Sequence, residues 1–156
     1  MTNSIFAVDP GKSTGIAEIR WRPDSAPFII MAENVDYGPT DMFDAVTEWA
    51  QQTKAMPGRI VVYETWTPLG SGADPNYSCQ LIGALRVAAD KAGIATLGQP
   101  SGDRYGVKND VLKASPYWVS GSRDDHRQAI RHALTYLMNT VGHQPTKLAL
   151  HPRPTR

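Results

Sequence analysis

The sequence predicts an α/β domain built on a central mixed five-stranded sheet flanked by helices. Two short apolar runs and the helical stripes around them carry that expectation. Ser4-Ile-Phe-Ala-Val8 is apolar over too few residues for a helix and stops at Asp9-Pro10-Gly11, so it reads as a buried strand ending in a turn. Arg59-Ile-Val-Val-Tyr-Glu64 is β-branched and nearly continuous in apolar character, as central parallel strands covered on both faces are. Between and after these runs, apolar residues recur at helical spacing.

The remaining elements follow in order. Gly15–Trp21 predicts a second strand, and Phe28–Ala32, after the Pro23-Asp24-Ser25 turn, predicts its antiparallel partner. Thr40 is placed to cap a helix whose face carries Met42, Phe43, Val46, Trp49, Ala50 and Thr53, and Pro57-Gly58 ends it. The strand–helix–strand passage into Arg59–Glu64 implies a right-handed parallel crossover. After a Gly/Pro/Ser-rich loop over residues 65–76, a second helix has Leu81, Ile82, Leu85, Ala88 and Ala89 on one stripe. Ile94–Leu97 gives a fifth strand, and Lys108–Ala114 a short helix stopped before Pro116. Ser122 is placed to cap a last helix striped by Ala129, Ile130, Ala133, Leu134, Leu137, Met138 and Val141. One domain is expected over residues 1–141, with an extended or mobile tail over 142–156, where Pro145, Pro152 and Pro154 fall.

At 156 residues the chain suits a single core, and its 41% hydrophobic and 20% charged content is that of a globular domain. Cys79 is the only cysteine, which excludes an intrachain disulfide and a Cys-rich zinc site and fits a reducing cytoplasm. No apolar run reaches the length of a membrane span, so no membrane partner is expected. The net charge of +1 hides an asymmetry. Residues 1–100 carry 7 Lys/Arg against 11 Asp/Glu, whereas residues 101–156 carry 9 against 4 and hold all four histidines. A basic half hints at a polyanionic partner, although uneven solvated charge accounts for it equally well.

Three carboxylates stand out. Asp9 and Glu64 each end a predicted strand, and parallel neighbours would present both at one sheet edge, where open α/β sheets bind ligands. Two facing carboxylates repel unless one is protonated or a cation lies between them, and hard divalent ions take such oxygen donors. Asp125, in the first turn of the last helix, shares a stripe with Ala129 and Ala133 and so faces the sheet. Each has a plainer reading taken singly. Asp9-Pro10-Gly11 is also a turn signal, and Ser122-x-x-Asp125 also a capping box, while an isolated buried Glu64 is costly. Gly11-Lys12-Ser13 resembles the end of a P-loop, but the required first glycine position holds Phe6, which rejects that reading.

Ile5-Phe-Ala-Val-Asp-Pro-Gly-Lys-Ser-Thr-Gly-Ile-Ala-Glu-Ile19 resembles the opening of RuvC-type Holliday junction resolvases, members of the RNase H-like superfamily. Ile60-Val-Val-Tyr-Glu64 resembles their strand carrying the second acidic ligand, and Gln80–Arg86 the helix after it. Asp125-His-Arg-Gln-Ala-Ile-Arg-His-Ala-Leu-Thr-Tyr136 is similar to the final helix of short phage-type members. The resemblance spans residues 4–138. It implies an RNase H-like fold and a homodimeric endonuclease that resolves four-way DNA by paired nicks. It also implies Mg²⁺ or Mn²⁺, in a two-metal site, held by Asp9, Glu64 and Asp125. The family places a further carboxylate where this chain has Gln128, so Gln128 and Asp124 are expected as weak or indirect ligands. A nuclease acting on RNA or single strands, or a junction-binding protein without catalysis, remain open alternatives.

For DNA, Arg104, Lys108, Lys113, Arg123, Arg127 and Arg131 are expected to meet phosphates, and Trp66 and Tyr77 to stack on bases. His126 and His132 are candidates for orienting water or moving a proton, against a surface or core role. The expected location is the cytoplasm, that of a host if a phage encodes the chain.

Overall fold

The computed structural model describes residues 1–65 and 75–152, without the side chains of Pro75, Asp103, Arg104 and Tyr105. Five strands, β1 (Asn3–Asp9), β2 (Thr14–Arg22), β3 (Ser25–Val35), β4 (Arg59–Thr65) and β5 (Ala95–Pro100), form one sheet in the order β3-β2-β1-β4-β5. The first three make an antiparallel meander, and β4 and β5 continue it in parallel with β1. The helices are α1 (Pro39–Gln52), α2 (Pro75–Lys91), α3 (Asn109–Lys113), α4 (Asp125–Thr135) and α5 (Gln144–Leu150). The mixed five-stranded sheet flanked by helices is the one the sequence predicts.

The sheet divides the core in two. On one face Phe6, Val8, Ile16, Val61 and Tyr63 pack against Met42, Val46 and Trp49 of α1 and Leu81 and Leu85 of α2. On the other, Ile5, Ala7, Ala17, Ile19 and Val62 pack against Ala129, Ile130, Ala133 and Leu134 of α4. β1 is therefore covered on both faces, which is why its sequence does not alternate. Ser4 and Glu18, polar yet buried, are satisfied locally: Trp49 Nε1 donates to Ser4 Oγ at 3.2 Å, and Ser4 Oγ to Glu18 Oε1 at 3.1 Å.

Several local expectations are corrected. α1 is capped at Gly38 rather than Thr40: Pro39 supplies the first helical position, and Gly38 N–H donates to Asp41 Oδ2 at 2.8 Å. The last long helix starts at Asp125 with Asp124, not Ser122, in the cap position. Its stripe continues through one wide turn, Tyr136–Thr140, where Val141 N–H bonds back to Tyr136 O, and Gly142 at φ 71° ends it. The expected tail is not extended over 144–150. Pro145 sits in the first turn of α5, where its missing N–H costs nothing, and the His143 side chain accepts from Thr146 N–H. His143 Nε2 lies 2.6 Å from Arg22 O, and Leu150 and Thr146 are buried, so α5 is docked. No described helix is long and apolar enough to cross a membrane.

Tyr117 is 2% exposed, and its hydroxyl has no hydrogen-bond partner among the described residues. Tyr117→Phe is expected to raise stability by about 1 kcal/mol, because a buried unpaired hydroxyl is removed. Burial pushes the Tyr117 hydroxyl from 10.0 up to about 12. The unfolded chain then releases this proton first, so wild type loses stability as pH rises through that interval. Denaturant melts at neutral and alkaline pH check both points: Tyr117→Phe should start higher and lack this alkaline decline.

Candidate active site

The candidate site is a row of residues that crosses the sheet at the carboxyl end of β1. In the antiparallel pairs Asp9 stands opposite Gly15, and Gly15 opposite Asn34. In the parallel pairs Val8 stands opposite Tyr63 and Glu64 opposite Gln99, so Glu64 follows Tyr63 as Asp9 follows Val8. The row thus reads Asn34, Gly15, Asp9, Glu64, Gln99 from β3 to β5. Directly paired residues share a sheet face, and this row lies on the α4 side.

Helix α4 lies over that row with its first turn above Gly15. A Cβ on Gly15 would fall on the Asp125 carbonyl and come within 2.6 Å of His126 N, so only glycine permits this approach. Asn34 Oδ1 accepts from His126 N–H at 2.8 Å and satisfies one of the free donors of the helix start. The Asp125 carboxylate accepts from Ser13 Oγ at 2.6 Å, and Arg123 Nη1 donates to Ser13 Oγ at 3.2 Å. The Asp9–Ser13 turn is pinned at its other end, where Ser78 Oγ of α2 donates to Pro10 O at 3.1 Å. Two turns along α4, His132 Nε2 is 2.9 Å from Glu64 Oε2 and its Nδ1 is 2.7 Å from Gln99 Oε1.

The topology therefore places Asp9 and Glu64 side by side and brings the start of α4, with Asp125, onto the strand next to Asp9. Among the described residues, no three His, Cys, Asp or Glu side chains surround a common point. Glu64 is turned to His132, and Asp125 to Ser13. As donors, three carboxylates fit a hard divalent cation.

Asp124 and Gln128 do not join this set. Asp124 accepts from Arg127 Nε and from Gln128 Nε2, and the Gln128 carbonyl accepts from Arg131 Nη1 at 2.9 Å. Both are committed to a network closed by two guanidinium groups, which disfavours a second cation beside them.

The same network corrects two expected phosphate contacts. Arg127 is buried, ion-paired to Asp124, hydrogen-bonded to the Val119 and Gly121 carbonyls and set over the Trp118 ring. Arg131 is buried too and donates to Val107 O at 2.6 Å. Both fasten the 107–121 segment to α4 rather than facing solvent. Tyr77 likewise has its hydroxyl held by Tyr37 O and packs against the α1–α2 core. Lys108, Lys113 and Arg123 are exposed, with Arg123 also paired to Asp36 at 3.0 Å. Trp66 and the Arg104 side chain lie outside the described residues. His126 is buried with its ring Nε2 3.3 Å from Val119 O.

Gln99, Ser13 and Asn34 were not legible as site residues. Gln99 offered one signal, a polar residue just past a short apolar strand, as Glu64 is.

A meander extended by two parallel strands, with carboxylates ending β1 and β4 and a helix laid over both, defines the RNase H-like class of α/β fold. Within that class the chain is similar to RuvC. The Thermus thermophilus RuvC structure superposes with a TM-score of 0.69 at 15% sequence identity, covering 92% of this chain and 98% of that one. The structure of T. thermophilus RuvC in complex with Holliday junction substrate matches with the same score and identity, over 90% of this chain and 96% of that one. The likeness is one of fold. No protein-family model matches the sequence, and no curated protein matches it.

Proposed function

We propose that this chain is a divalent-metal-dependent endonuclease of branched DNA that resolves four-way junctions by paired nicks. The observation that carries the reading is the carboxylate row: Asp9 and Glu64 adjacent on parallel strands, with the Asp125 turn of α4 packed on Gly15 beside them. The junction complex of the similar RuvC fold supports branched DNA as substrate.

Asp9, Glu64 and Asp125 would hold Mg²⁺ or Mn²⁺, and the bound ion would activate water and stabilise developing charge on the phosphate. The chain's own residues supply the rest. Glycine at position 15 sets the depth of Asp125, Ser13 donates to that carboxylate, and His132 holds Glu64. Lys108, Lys113, Arg123 and Arg104 are the proposed phosphate contacts, and Trp66 the proposed stacking residue. Cuts on two strands require two sites, so the active species is a homodimer. The commitment of Gln128 and Asp124 to Arg131 and Arg127 favours one ion over the two that the resemblance implies.

One observation favours a second reading, junction binding without hydrolysis: Gln128 stands where the resemblance implies a carboxylate, and its carbonyl is taken up by Arg131. A substrate panel separates these and the RNA or single-strand alternative. Binding to a four-way junction should exceed binding to linear duplex by about tenfold or more and weaken steeply with salt. Cutting confined to RNA or single strands would overturn the branched-DNA reading.

A further inference from the structure

We propose that His132, braced by Gln99, is a positioning residue that fixes the Glu64 carboxylate for ion binding. The inference rests on the metal-dependent reading and adds to it a group outside the carboxylate set. His132 is 0% exposed and Gln99 is 4% exposed. Gln99 and Glu64 are direct cross-strand partners on β5 and β4, and the imidazole from α4 spans the pair at 2.7 and 2.9 Å.

An unrestrained glutamate has three rotatable bonds, and ordering it on binding costs free energy. Here one carboxylate oxygen, Oε2, is held by a ring whose other nitrogen is itself engaged, so the ring cannot turn without breaking both contacts. The ordering is done at folding rather than when an ion arrives. A purely structural role, tying α4 to the sheet, is already filled. Ala129, Ile130, Ala133 and Leu134 are all buried against β1, β2 and β4, and the helix start is fixed at Gly15 and Asn34.

Three variants of the full chain test this by Mn²⁺ binding, read by electron paramagnetic resonance, with thermal melting alongside. His132→Leu removes the donor to Glu64. His132→Gln restores an N–H near the position of Nε2. Gln99→Met removes the brace and leaves His132 in place, so it carries the test if His132→Leu does not fold. The expected result is a loss of Mn²⁺ affinity of about tenfold to a hundredfold in His132→Leu, a smaller loss in Gln99→Met and recovery in His132→Gln. Recovery should follow the donor and not the melting temperature. Wild-type affinity in folded His132→Leu, or in Gln99→Met where only that variant folds, would overturn the inference while leaving the metal reading intact. Affinity that tracks melting temperature through all three would also overturn it. A wild type that takes up no Mn²⁺ would overturn both.

Discussion

Asp9→Asn is expected to reduce junction cleavage by roughly a thousandfold, about 4 kcal/mol of transition-state stabilisation, with the fold and junction binding retained. Asparagine keeps the shape of the side chain at the end of β1, removes its charge and puts an NH2 donor in place of one acceptor oxygen. Asp9 stands beside Glu64 in the parallel register, so losing one negative charge relieves repulsion in the metal-free protein and weakens attraction for a cation. The melting temperature should hold or rise. Affinity for the junction should hold or increase, because one charge that repels phosphate is gone. Cleavage kinetics, gel mobility shifts and thermal melts on the same preparation separate these effects. Unchanged cleavage would remove Asp9 from the ion site.

Gly15→Ala is expected to be the most disruptive glycine-to-alanine change among the described residues. The added Cβ would meet the Asp125 carbonyl and the His126 N, both backbone and unable to rotate away. Either the start of α4 lifts or β2 is pushed back, and overpacking of this kind costs about 3 kcal/mol. The loss of activity should exceed the loss of folded protein, because the displaced segment carries Asp125. Gly83→Ala is the control. Gly83 lies on the exposed face of α2 with nothing within 4 Å of an added Cβ, and alanine there should stabilise by about 1 kcal/mol. Denaturant melts of the two variants should move in opposite directions. A Gly15→Ala protein as stable and active as wild type would show that α4 does not seat on β2 in this way.

The sheet was legible because its strands obey simple rules. The run Ile5–Val8 is apolar throughout since both faces of β1 are covered, and it stops at Asp9 on the sheet edge. Arg59–Glu64 follows the same rule one strand over. The helix stripes of α1, α2 and α4 were legible for the same reason. What sequence reasoning missed lies where polar groups are buried by partners distant along the chain. Arg127 and Arg131 read as surface cations, yet the 107–121 segment folds over α4 and offers carbonyls at Val107, Val119 and Gly121 and a ring at Trp118. No periodicity encodes that cover. Gln128 read as a weakened ligand because its slot was known and its partners were not. In α5 the prolines suggested an extended tail, whereas Pro145 lies where a helix tolerates it and His143 supplies the cap.

Metal-dependent junction cleavage is measured on a synthetic four-way DNA junction labelled on each strand in turn and incubated with wild type in Mg²⁺, Mn²⁺ or chelator. The expected result is nicks at symmetric positions on two opposing strands, dependent on the divalent ion and absent with Asp9→Asn. Tight junction binding with no cut in either ion would contradict it and leave a junction-binding protein on a nuclease fold.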